Sequence, residues 1–284
     1  MISIFLVIML MGYVIALSIS GEWFFFIIIF ATVFSLGYIW SGYKFSDKIA
    51  LKSVNAKIAS KKEHKEYLNL VENVSIASGI PKPRAYVMPL KQINAFASGI
   101  NPENAVICVS EGALDKLDKR ELEAVIAHEM GHIKNYDIRY MTLVTVLVGM
   151  IAIISQLFLR SLWFSSGRND EKGKIWILLI AVLLAILAPI VVKLVQLSIS
   201  RKREYSADAS AVMFTRNNQP LISALKKIEK ESLQTSKTSK GKKEKVNKSI
   251  AQMFFANPFS KSKFKEMGST HPSVEKRIKI LREM

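Results

Sequence analysis

The chain has 284 residues, 50% of them hydrophobic, and a formal net charge of +17 from 40 Lys and Arg against 23 Asp and Glu. An apolar fraction of that size, gathered in blocks, excludes a disordered chain, and the single cysteine, Cys108, excludes an internal disulfide and suits a reducing compartment. The basic excess comes without aromatic or base-reading motifs, so it indicates no nucleic-acid partner.

Residues 1–21 and 23–43 carry no charged side chain and are separated only by Glu22. Each is long enough for the roughly 20 residues that a hydrocarbon core demands. The first run lacks a basic n-region and a second apolar run follows at once, so a retained hairpin of two spans is expected rather than a cleaved signal peptide. Residues 47–78 then mix Lys and Glu with Ile49, Ile58, Leu68, Val71 and Val74 in a helical rhythm that stops at Gly79, which predicts one or two amphipathic helices. His64 falls in the charged part of this stretch and is expected to be solvated.

Pro81 and Pro83 break the pattern, and three short segments with strand character follow at 85–88, 93–98 and 105–110, with Gly99, Asn101 and Pro102 as turn residues. Cys108 lies in the last of them, as a buried core thiol. A short helix is expected over 111–117 and a longer one over 119–135. Asp118 can cap the longer helix, Glu121 completes a capping box, and the apolar run Ala124 to Ala127 follows.

That helix contains His128-Glu129-Met130-Gly131-His132. Positions i and i+4 share a helix face, so His128 and His132 can direct their imidazoles at one ion, with Glu129 beside them as a general base. Zinc takes two His and a carboxylate in a large group of hydrolases and keeps a position open for water. The motif therefore predicts a zinc peptidase with one ion per chain.

Two further apolar runs follow, 140–159 between Arg139 and Arg160, and Ile175 to Ser200 with Lys193 as its sole charge. Trp23, Trp40, Trp163 and Trp176 all fall at or near the ends of the four runs, where interfacial aromatic residues collect. Residues 44–139 hold fifteen Lys and Arg and 201–284 hold twenty, against four in the 160–174 loop, so both large polar segments are expected on the cytoplasmic side. This topology and the nearness of a membrane account for the charge.

A helix is expected over 201–232. Two histidines hold zinc weakly, and the metzincin solution is closed because position 138 is Ile and position 135 is Asn. The segment leaving the fourth run offers Glu204 and Asp208 on one helix face. Glu204 is the expected third ligand and Asp208 the acceptor for the second ring nitrogen of a zinc histidine. Taken alone, Glu204 reads better as a surface ion pair with Arg201 or Arg203, and the zinc helix reverses that preference. Residues 235–249 form a Lys-rich tract with the character of a solvated loop, and 273–281 a short basic helix.

The apolar hairpin, Asn94-Ala95-Phe96-Ala97, the His128 to His132 motif followed by Asn135 and Asp137, Glu204 to Asp208, and Thr270-His271-Pro272 together resemble the HtpX group of membrane-embedded zinc endopeptidases, relatives of the CAAX prenyl proteases. The resemblance runs over nearly the whole chain. It implies that Asn94, Ala95 and Phe96 belong to a strand that pairs with substrate backbone, and that His271 and Arg277 stand beside the metal and stabilise an oxyanion. Without it, His271 reads as a turn residue and Arg277 as a solvated side chain.

The expected fold is mainly α: four transmembrane helices and a cytoplasmic α+β protease domain of the zincin (gluzincin) type with a small sheet. The expected parts are a hairpin at 1–43, a protease part at 44–139, a second hairpin at 140–200 and a helical part at 201–284. The expected partners are the lipid bilayer of the inner (plasma) membrane and polypeptides, above all misfolded or damaged membrane proteins cut on the cytoplasmic side. The alternatives are a CAAX-type prenyl protease and a scaffold with a structural zinc. No oligomeric state follows.

Overall fold

The computed structural model describes Met9, Tyr13 and residues 24–139, 201–238 and 272–284. The chain divides into two compact units, Met1–Phe45 with Leu143–Leu197, and Ser46–Thr142 with Ser198–Met284.

In the first unit, α1 (Phe24–Lys44) runs for 21 residues and ends on a basic side chain that complements its C-terminal carbonyls. Phe25, Phe26, Ile29, Phe30, Val33, Phe34, Leu36 and Trp40 are exposed on it. Phe30, Phe34 and Tyr38 stack along one side at four-residue spacing. Among the described residues no helix is long and apolar enough to cross a membrane. The runs expected at 1–21, 140–159 and 175–200 lie almost wholly outside the described residues.

The second unit is built on a four-stranded mixed sheet of β1 (Lys57–Ile58), β2 (Arg84–Met88), β3 (Ala95–Ser98) and β4 (Val106–Ser110), in the order β1-β2-β4-β3. β2 and β4 are parallel and central, while β3 returns antiparallel to β4 and forms an edge. Strand alternation sorts the side chains onto two faces. Ala85, Val87, Ala95, Ala97, Ile107 and Val109 enter the main core, and Met88, Phe96, Val106 and Cys108 enter a smaller one on the other face. Gly99 makes the turn out of β3 at φ 138°, where a Cβ would meet the Asn104 carbonyl oxygen at 2.8 Å.

The smaller core is closed by Ala50 and Leu51 of α2 (Ser46–Ser53). The larger lies under α3 (Lys65–Ser78) and α5 (Lys119–Lys134), with α4 (Glu111–Lys116) leading into the latter. The three strands and the helices at 111–117 and 119–135 thus form within a few residues of expectation. The capping box is present as predicted, with Asp118 accepting from the Glu121 amide and Glu121 from the Asp118 amide. Ser110 caps α4 in the same manner through the Ala113 amide.

The amphipathic helices expected over 47–78 form as two, α2 and α3, with a break between them where Asn55 takes a positive φ of 53° and Lys57 and Ile58 pair with β2 instead of joining a helix. A vacant sheet edge outcompetes local propensity there. The helix expected over 201–232 is two helices, α6 (Arg201–Thr215) and α7 (Gln219–Thr238). Arg216 turns the chain at φ 53°, Asn217 accepts from the Gln219 amide, and Pro220 sits in the first turn of α7 where its missing N–H costs nothing. The C-terminal helix, α8 (Val274–Arg282), forms as expected with Ser273 as its cap.

Candidate metal centre

His128 and Glu129 are buried at the centre of α5, and His132 is half-buried one turn later. Gly131 between them lets α6 come close: a Cβ there would lie 3.1 Å from the Ala207 Cα and 3.0 Å from the Ser210 Cβ. That approach brings Glu204 and Asp208, one turn apart on α6, against the two histidines.

The three donors converge. His128 Nε2 and His132 Nε2 are 3.2 Å apart, and Glu204 lies 3.8 Å from the first through Oε2 and 3.7 Å from the second through Oε1. All three donor atoms fall within 4.8 Å of one another, and among the described residues this is the His, Cys and carboxylate group that could hold a metal ion. Ligands about 2.0–2.1 Å from a tetrahedral zinc are separated by roughly 3.3–3.5 Å, so the spacing suits such an ion.

Each histidine is oriented through its other nitrogen. His128 Nδ1 lies 2.9 Å from Asp208 and His132 Nδ1 lies 3.1 Å from Asp137. If each Nδ1–H donates to its carboxylate, both Nε2 atoms present lone pairs to the same point, an arrangement that a cation satisfies and a hydrogen bond does not. Asp137 reaches back because Tyr136 turns at φ 59° and the Asp137 amide donates to the His132 carbonyl. Arg203 stands 3.3 Å from the other Asp137 oxygen.

Arg277 is buried at 2% exposure, not solvated. Its guanidinium grips Asp208 through two nitrogens at 2.8 and 2.6 Å and passes 3.7 Å from Glu204. His271 lies outside the described residues. His64 accepts the Ser60 amide at its Nδ1, in a turn preceding α3.

Burial lowers His128 to about 4 against the pull of Asp208. Burial also works to depress His132, but the Asp137 hydrogen bond and the charges of Glu204 and Glu129 override it and raise the group to about 9. Burial pushes Glu129 up to about 7, with Glu204 adding to the rise and the charge of His132, then the Ala97 amide and Arg277, opposing it. Asp208 is carried down to about 2 because Arg277 and His128 outweigh the cost of its burial.

The Asn94 amide donates to Ser110 Oγ, its carbonyl accepts the Ser110 amide, and its side chain accepts the Ala95 amide. Phe96 is sunk in the smaller core. Since Asn94 hydrogen-bonds toward β4, the main-chain groups of Ala95 and Ala97 turn away from β4 on a side where no further strand pairs among the described residues; both residues are buried, the Ala95 amide being held by the Asn94 side chain and the Ala97 amide meeting Glu129. Sequence reasoning gave Asp137 and Arg203 no role beside the metal site. An acid five positions past the second histidine, just beyond the helix end, was the available signal.

The profile of peptidase family M48 matches residues 61–284. A protease HtpX homolog of Caldanaerobacter subterraneus subsp. tengcongensis is 43% identical over 263 residues, covering 90% of this chain and 84% of the relative. One of Pyrococcus furiosus is 44% identical over 243 residues, 85% and 81% of the two chains, and one of Dictyoglomus thermophilum is 42% identical over 258 residues, 91% and 81%. Among solved structures, that of S. mikatae Ste24p shares the fold with a TM-score of 0.50 at 20% identity, over 90% of this chain and 58% of that one.

Proposed function

Because this chain belongs to peptidase family M48 and is by that kinship a membrane metalloprotease, we propose that it is a zinc endopeptidase whose ion is held by His128, His132 and Glu204. The convergence of those three donor atoms within 4.8 Å, with Glu129 buried alongside, carries the proposal. Bound there, zinc supplies a Lewis acid that polarises the scissile carbonyl and makes water acidic enough to attack near neutral pH.

The protein's own groups do the rest. Glu129, raised to about 7 and held by the Ala97 amide, takes the proton of the attacking water and passes it to the leaving amine. Asp208 and Asp137 fix the ring orientation of the two histidines. The side of β3 turned away from β4 is the proposed place for an extended substrate, gripped by main chain while many side chains are tolerated; because Ala95 and Ala97 are buried there, pairing requires their amides to leave Asn94 and Glu129, and Asn94 and Phe96 anchor that strand. Arg277 carries positive charge to the edge of the site and, with His271, is the proposed partner of the oxyanion.

The proposed setting is a four-span protein of the plasma membrane, with hairpins at 1–43 and 140–200 and with parts 44–139 and 201–284 in the cytoplasm. Lys and Arg placement supports that orientation, and the exposed aromatic surface of α1 supports embedding. The proposed substrates are misfolded or damaged membrane proteins, whose cytoplasmic segments offer extended chain near the bilayer.

The test uses detergent-purified full-length protein. Glu129→Gln should retain one zinc per chain and lose hydrolysis of casein, and a chelator should abolish wild-type hydrolysis. Casein cleavage by the variant at the wild-type rate would refute the role of Glu129. Cleavage of a prenylated CAAX peptide in place of casein would favour the prenyl-protease alternative, and bound zinc without cleavage of either would favour the scaffold.

A further inference from the structure

The sheet face carrying Met88, Phe96 and Cys108 is covered by α2, which buries Ala50 and Leu51 against it and turns Lys48, Ile49 and Lys52 outward. Ile49 is 45% exposed. In β1, Ile58 is 70% exposed. Its register partner is Tyr86, which packs on that same core, so Ile58 projects from the side of the sheet that α2 covers. Two large aliphatic side chains therefore stand in water on one side of the unit, with lysines between and around them.

The charge on this stretch is of one sign, with Lys57, the register partner of Val87, on the sheet face opposite to Ile58. Residues 46–62 contain five lysines and one acid, Asp47, which is buried and paired with Arg84. Exposed aliphatics flanked by lysines are the composition of a segment lying at a bilayer surface, the aliphatics at the acyl boundary and the ammonium groups among anionic headgroups. A protein partner is the poorer fit, because lysine is depleted from protein–protein interface cores. Chain continuity agrees: α2 begins two residues after Lys44, the end of the helix that exposes eight large apolar side chains.

We propose that the α2–β1 segment is a docking surface for an anionic lipid bilayer, with Ile49 and Ile58 inserted at the interface and Lys48 and Lys52 meeting the headgroups. This rests on the membrane-embedded reading above. It would hold the sheet, and the edge strand β3 with it, in a fixed orientation to the membrane.

Cys108 is the sole cysteine, buried, with its thiol pushed up by burial, so an added surface cysteine takes a label selectively. Full-length Ile49→Cys, Ile58→Cys and, as a control on α3, Ile76→Cys, itself 76% exposed, are spin-labelled and placed in nanodiscs of phosphatidylcholine with or without phosphatidylglycerol. With phosphatidylglycerol, positions 49 and 58 should lose accessibility to an aqueous nickel chelate and gain it to oxygen, while position 76 stays aqueous. Adding Lys48→Glu and Lys52→Glu should remove that protection and leave casein hydrolysis in detergent unchanged. Protein that enters the discs but leaves labels at 49 and 58 as open to nickel as at 76 overturns the docking surface alone. Failure to co-elute with the discs defeats the embedded reading as well.

Discussion

His132 Nδ1 and Asp137 Oδ2 lie 3.1 Å apart across a helix end that folds back on itself at Tyr136. A carboxylate in that position fixes the tautomer that leaves Nε2 available and raises the basicity of the ring. Asp137→Asn should weaken zinc binding by about 10- to 100-fold, with hydrolysis recovering as free zinc is raised. Competition with a chelator of known affinity measures it, and an unchanged dissociation constant would remove Asp137 from the site.

Gly131 sets how near α6 can approach α5. In Gly131→Ala the new methyl would be squeezed by the Ala207 backbone, so the helices must part by a few tenths of an ångström. Better helix propensity offsets about 1 kcal/mol of the strain, against about 1–3 kcal/mol for overpacking. Glu204 moves with α6, so zinc affinity should fall more than thermal stability does. Retention of zinc through dialysis and the melting temperature of the metal-free protein separate the two.

The peptidase motif, its capping box and Glu204 were legible because helical spacing converts sequence into geometry directly. Asp208 was legible too, since i and i+4 on α6 put it beside Glu204. Asp137 and Arg203 were not, because they depend on a left-handed residue, Tyr136, that no turn signal announced. Arg277 was placed by resemblance; its burial follows from two carboxylates meeting it from α6, a fact of packing. The strand at Lys57–Ile58 was hidden for a related reason, as its only signal is a vacant edge on a strand thirty positions away.

Metal binding should release the His132 proton at and above neutral pH. In the metal-free protein His132 sits at about 9 and His128 at about 4, so near pH 7 the first must lose a proton to ligate and the second has none to lose. The sign follows: affinity rises with pH, by about tenfold per unit between pH 7 and 9, and levels off above 9. Proton release in calorimetry with buffers of different ionisation enthalpy checks it. Absence of proton release at pH 8 would contradict the raised His132.

The entrance to β3 is tied to α7. Glu231 accepts the Ile93 amide at 2.8 Å through one oxygen and pairs with Lys116 through the other, and Lys116 also donates to the Lys91 carbonyl. Ile93 directly precedes Asn94, so this contact sets where the edge strand begins. Glu231→Ala should loosen the strand without touching the proposed metal ligands. The expected outcome is a rise in KM for an unfolded substrate of about threefold to tenfold, the equivalent of ~1 kcal/mol for one hydrogen bond to a partly exposed charge, with kcat and zinc content unchanged. Glu231→Gln, which keeps an acceptor, should recover most of the loss. A fall in kcat at constant KM would place the effect on the reacting groups instead of the strand.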